Sequence, residues 1–107
     1  MSLQQTFDCE HPVALVTGSG APRVGRAVAS RLAERGCSLV IHARSSLAEA
    51  EAFAAELRQR GTQTLVVKAA MQQSDEVERM IASAVSHFGR LDILVNSAAI
   101  WQPLPLE

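Results

Sequence analysis

Apolar residues along this chain follow two rhythms. Nearly unbroken apolar stretches fall within residues 13–17, 38–43, 63–68 and 91–96, the pattern of strands buried on both faces of a parallel sheet. Between them apolar residues recur every three or four positions: Val24, Val28 and Leu32; then Ala50, Phe53, Ala54 and Leu57; then Val77, Met80, Ile81, Ala84, Val85 and Phe88. Each set lines one face of a helix, which predicts helices over about 24–35, 46–61 and 74–88. The punctuation agrees. Gly36, Gly61 and Gly89 stand where helices should end, Ser46-Leu47-Ala48-Glu49 reads as a capping box, and Asp75 and Glu76 put negative charge at a helix start.

Strand and helix alternate three times and finish on a strand. Right-handed crossovers fold such a chain into an α/β structure, half of a doubly wound Rossmann-type parallel sheet with strand order 3-2-1-4 and flanking helices. In that order the first two helices cover one face and the third covers only part of the other. The fourth strand is then an apolar open edge, through which the chain is expected to form a homo-oligomer or otherwise associate. Residues 1–11 show no sustained period and are expected to be a flexible leader to a domain over 12–107.

Composition narrows the setting. A length of 107 residues, 48% of them hydrophobic, suits one small domain. A net charge of −1 offers no footprint for nucleic acid or an anionic membrane, and no apolar run approaches a membrane span. Residues 1–12 contain no apolar signal-peptide core. Cys9 and Cys37 lack metal-ligand or C-x-x-C spacing and read as free thiols of a reducing cytoplasm. His11, His42 and His87 show no metal or dyad spacing either, so no metal is expected.

The candidate chemistry sits in Thr17-Gly18-Ser19-Gly20-Ala21-Pro22-Arg23-Val24-Gly25, between the first strand and the first predicted helix. Glycines at 18, 20 and 25 let the backbone turn sharply and approach a ligand, while the following helix aims unpaired N–H groups at the turn; this is a phosphate-holding arrangement. A nucleotide P-loop would need lysine and a hydroxyl after Gly25, where Arg26 and Ala27 stand. The dinucleotide fingerprint G-x-G-x-x-G fits Gly18 and Gly20 but meets Arg23 in place of its third glycine. A plain strand-to-helix connection remains the alternative. The end of the second strand bears on cofactor choice, because Asp or Glu there binds the ribose 2′-hydroxyl of NAD. Here it reads His42-Ala43-Arg44-Ser45-Ser46, with no carboxylate before Glu49. A guanidinium beside hydroxyls suits a 2′-phosphate, so NADP(H) is expected, with Arg23 adding a second positive charge. Gly18, Ser19, Gly20, Arg23, Val24, Gly25, His42, Arg44 and Ser45 are the candidate cofactor residues, although His42 equally reads as a structural histidine.

The turn resembles the Thr-Gly-x-x-x-Gly-x-Gly element of the short-chain dehydrogenase/reductases, in the variant with Arg in place of the middle glycine and with one residue inserted. Phe88-Gly89-Arg90-Leu91-Asp92-Ile93-Leu94-Val95-Asn96-Ser97-Ala98-Ala99 is similar to that family's F-G-x-[LI]-D-x-L-V-N-N-A-G segment. The resemblance implies that Asn96, Ser97 and Ala98 line the cofactor and brace the sheet, with Ser97 in place of Asn and Ala99 in place of Gly. It also sets Ala70 and Met71 against the adenine, where Ala70 replaces the usual Asp and removes a hydrogen bond. The Arg in the turn and the segment from Asn96 to Leu106 resemble the pteridine-reductase branch. Trp101 falls where that branch stacks an aromatic on its substrate, though a tryptophan there also reads as a packing body.

The family moves hydride between nicotinamide and a carbonyl-type carbon, with a Tyr acid, a Lys four residues later and a Ser that polarises the substrate oxygen. The chain has no tyrosine, and Lys68 is its only lysine. The resemblance therefore implies no catalytic residue here. It implies the N-terminal dinucleotide-binding portion of a longer oxidoreductase, truncated before its catalytic region and inactive alone. A small-molecule carbonyl or pterin substrate belongs to the full-length form. A non-catalytic nucleotide-binding or assembly module is the alternative.

Overall fold

The apolar runs become four strands in the computed structural model, which describes residues 2–20 and 24–97. These are β1 (Val13–Val16), β2 (Ser38–Ala43), β3 (Thr64–Lys68) and β4 (Ile93–Val95). Neighbours pair in parallel in the order β3-β2-β1-β4, with Val13 opposite Ser38, Ala14 opposite Ile93 and Leu39 opposite Thr64. β1 and β2 bury every residue, as inner strands covered on both faces should, whereas β3 and β4 at the edges are only partly buried.

Alternation along the strands divides the interior into two layers. Ala14, Val16, Leu39 and Ile41 pack with Ala29 of α2 (Val24–Glu34) and with Phe53, Ala54 and Leu57 of α3 (Leu47–Gln59). Val13, Leu15 and Val40 face the other way, toward Met80 and Ala84 of α4 (Ser74–Phe88). Leu15, Leu39, Ile41 and Leu57 are essentially sealed from solvent, and each such side chain contributes about 1.5–3 kcal/mol on burial. Two helices thus cover one face and one helix part of the other, as the alternation predicts. On the β4 edge Leu94 is left 57% exposed.

Several local expectations are corrected. Leu3–Phe7 forms a short helix, α1, rather than a structureless leader. Its Ser2 and Gln5 build a reciprocal capping box, Gln4 donates from Nε2 to the Arg35 carbonyl at 2.7 Å, and Leu3 packs on the α2–α3 layer. Ser46 precedes α3 but makes no side-chain cap; its ψ of 65° lies outside the extended region that aims a hydroxyl at the first helical turn. β4 is shorter than the apolar run because side chains take over at both ends. Asp92 accepts the Val13 N–H at 2.9 Å and pairs with Arg90, and Asn96 turns its amide oxygen to the Thr17 hydroxyl. Among the described residues no helix is long and apolar enough to cross a membrane.

Candidate nucleotide-binding site

All four strands point their carboxyl ends to one edge of the sheet, and the candidate residues collect there. Directly after β1, Gly18 adopts a φ of +70°, a region open to glycine at no steric cost. The turn it starts is fastened to β2 through one residue, His42. The Gly18 N–H donates to His42 Nδ1 at 2.8 Å, the His42 N–H donates to Ser19 Oγ at 3.2 Å, and the Gly20 N–H donates to the His42 carbonyl at 3.1 Å. A backbone N–H can only donate, so Nδ1 carries no proton. His42 Nε2 is then the donor of the 2.8 Å bond to the Ala69 carbonyl beyond β3. His42 is completely buried.

Close approach explains the other two glycines of the turn. A Cβ on Gly20 would stand 2.8 Å from the Cβ of Ala50 on α3, and one on Gly25 would stand 2.5 Å from Ser97 Oγ and 3.0 Å from the Gly18 carbonyl oxygen. Ser97 is this near because it binds the end of β1 twice. Its N–H donates to Thr17 Oγ1 at 2.8 Å, and its hydroxyl donates to the Thr17 carbonyl. In α2, Arg26 bends back: its guanidinium donates to the Gly20 carbonyl and lies 4.7 Å from the centroid of the Phe53 ring. Sequence reading missed Arg26 as a brace, noticing only that it was not lysine; an arginine next to the last glycine of the turn was the available signal.

The other candidates divide into anchored and free groups. Arg44 and Ser45 emerge exposed past the end of β2, and among the described residues Arg44 has no hydrogen-bond or ion-pair partner. Glu49, the first carboxylate after β2, lies exposed in the first turn of α3. Ala70 follows β3, and its N–H donates to the Glu76 carboxylate at 2.9 Å; Met71 packs on the α4 layer. Arg23, Ala98 and Trp101 lie outside the described residues. The structure thus brings Gly18, Ser19, Gly20, Val24, Gly25, Arg44, Ser45, Ala70, Met71, Asn96 and Ser97 to one end of the sheet. His42 lies beneath them as a support with no exposed surface.

Perturbed ionisation lies at the opposite end. The Arg90 guanidinium, bonded to Asp92 in a fork, holds the Asp92 carboxyl below the usual carboxylate range, helped by the Val13 N–H and opposed by partial burial. Burial pushes the Cys37 thiol up, and the charge of Asp92 adds to this. Arg90 and Asp92 brace the amino ends of β1 and β4, and Cys37 lies just before β2, so none of the three is at the turn. A groove between β3 and α4, lined by Lys68, Glu76, Arg79 and Ser83, is also on the flank of the sheet rather than at the turn. Among the described residues, this end of the sheet presents backbone amides, the hydroxyls of Ser45 and Ser46, and the unpartnered guanidinium of Arg44.

Comparison with known proteins agrees with this geometry. The short chain dehydrogenase family matches residues 12–107. The chain is 40% identical over 87 residues to the 3-oxoacyl-[acyl-carrier-protein] reductase FabG of Staphylococcus aureus strain Mu50, which covers 81% of the chain and 35% of that protein. It is 40% identical over 96 residues to the granaticin polyketide synthase putative ketoacyl reductase 2 of Streptomyces violaceoruber, covering 90% of the chain and 36% of that protein. A crystal structure of a dehydrogenase/reductase from Sinorhizobium meliloti 1021 superposes with a TM-score of 0.81 at 35% identity, over 89% of this chain and 37% of that one. The chain spans about a third of the length of these relatives. A match over nearly all of its residues, on a fold and turn of the same kind, leaves one assignment: the chain belongs to the short chain dehydrogenase family.

Proposed function

We propose that these residues form the NADP(H)-holding portion of a cytoplasmic reductase acting on a carbonyl group. The observation that carries the reading is Arg44, exposed and unpartnered among the described residues at the end of β2, with Ser45 beside it and no carboxylate before Glu49. A permanently charged fork of donors there suits the 2′-phosphate of NADP(H) and gains far less from the bare hydroxyl of NAD(H). The amides of Gly18 and Gly20 are consumed by His42, so the pyrophosphate falls to the first-turn amides of α2, Val24 and Gly25 among them. Bound there, the cofactor supplies hydride. The chain's own part is to hold and orient it.

A carbonyl substrate is supported by the oxoacyl and ketoacyl reductases among the relatives. The pterin reading rests on Arg23 and Trp101, outside the described residues. With no tyrosine, the 107 residues do not supply the family's acid, so binding without turnover is expected of them alone. Exposed Leu94 favours a second reading as a nucleotide-binding module that assembles through its open edge. Calorimetric titration with NADPH and NADH tests the cofactor reading. NADPH should bind about tenfold tighter, and Arg44→Ala should remove the difference, the scale of one charge-assisted contact. Equal or tighter binding of NADH overturns it.

A further inference from the structure

His42 bonds to three successive residues of the turn, Gly18, Ser19 and Gly20. It takes the Gly18 N–H on its ring, gives its own N–H to Ser19 and accepts the Gly20 N–H on its carbonyl. The two backbone bonds are open to any residue but proline; the ring bond is not. The ring itself is aimed by its far nitrogen, which donates to the Ala69 carbonyl, and it is buried with no room to swing. Ala69 leads directly into Ala70 and Met71, the corner beside β3.

The geometry points to His42 as a positioning residue: its unprotonated Nδ1, held in place by Ala69, fixes Gly18 in its left-handed conformation and so sets the start of the phosphate turn. It acts through Gly18, not by touching the nucleotide, and the inference rests on the nucleotide-binding reading above. Only a side chain with an acceptor near the backbone and a donor beyond it can do both tasks. The amide oxygen of asparagine reaches the place of Nδ1, and the amide of glutamine reaches the place of Nε2, so the two tasks can be separated.

The test uses the whole chain with His42→Asn and His42→Gln. Both should lower the melting temperature, since each orphans one buried partner. Affinity for NADPH should stay within about threefold of the parent for His42→Asn and fall about tenfold for His42→Gln, the worth of one hydrogen bond in the turn. Nitrogen-15 NMR of the parent imidazole should show a single tautomer protonated at Nε2. Equal affinity in the two variants, affinity that follows melting temperature, or a proton on Nδ1 overturns the inference. If the parent itself does not bind NADPH, the functional reading fails and the amide of Gly18 decides the latch. Slow hydrogen exchange in the parent and His42→Asn with fast exchange in His42→Gln supports it, and equal protection in all three sinks it.

Discussion

Replacing Gly25 with alanine sets three effects of known sign against one another. Gly25 lies in the first turn of α2, where alanine is favoured over glycine by about 1 kcal/mol on helix propensity alone. Against this, the new methyl would stand 2.5 Å from Ser97 Oγ, which must leave its bond to the Thr17 carbonyl at a cost of about 1 kcal/mol. The methyl would also stand 3.0 Å from the carbonyl oxygen of Gly18 and 3.1 Å from its carbon, backbone atoms that His42 holds in place. Crowding of this kind costs about 1–3 kcal/mol. Crowding and the lost bond outweigh propensity, so Gly25→Ala should destabilise by about 1–3 kcal/mol, measured by urea unfolding. Ser97→Ala alone should cost about 1 kcal/mol, and the double variant should cost less than the sum by about that amount, because the same bond is lost only once. Strict additivity, or a stabilised Gly25→Ala, would show that Gly18 and Ser97 are not packed against this helix.

Two further outcomes follow from features away from the turn. Asp92 is held ionised by Arg90 and Val13, so its contribution is present in full above the ordinary carboxylate value of about 4 and is lost as pH falls through its lower folded value. Asp92→Asn should lower the melting temperature by several degrees at neutral pH, and the gap should narrow in a calorimetric series below about pH 4; a gap independent of pH would refute the pairing. Leu94→Glu should shift the chain toward monomer in sedimentation velocity without lowering its melting temperature, since Leu94 is exposed on the sheet edge; unchanged association would remove that edge from the account.

What the sequence disclosed depended on how local the cause was. The unbroken runs of β1 and β2 marked inner strands, and the three-and-four spacing of Val77, Met80, Ala84 and Phe88 marked α4, because burial on both faces or on one stripe writes itself into neighbouring positions. α1 was invisible because its support is distant, with Gln4 reaching Arg35 and Leu3 reaching the layer beneath α2 and α3. The capping box at Ser46 was legible as a pattern yet absent as a contact, since the backbone angle ahead of α3 overrides it. At the site the glycines and Arg44 stood out by type and spacing. The pairing of Gly18 with His42 did not, because two residues 24 positions apart meet only after β1 and β2 are in register.

The bond from the Val13 N–H to the Asp92 carboxylate joins residues 79 positions apart, and no neighbouring strands here are linked by a hairpin. β1 therefore begins its existence as a border strand, paired with β2 on one side and with nothing on the other, until residues beyond 92 leave the ribosome. The Thr17 carbonyl accepts the Ser97 hydroxyl, so the turn after β1 is closed only once β4 has been made. The inner strand is thus made first and enclosed last, so the contacts that lock its carboxyl end are the most distant in sequence and the slowest to form.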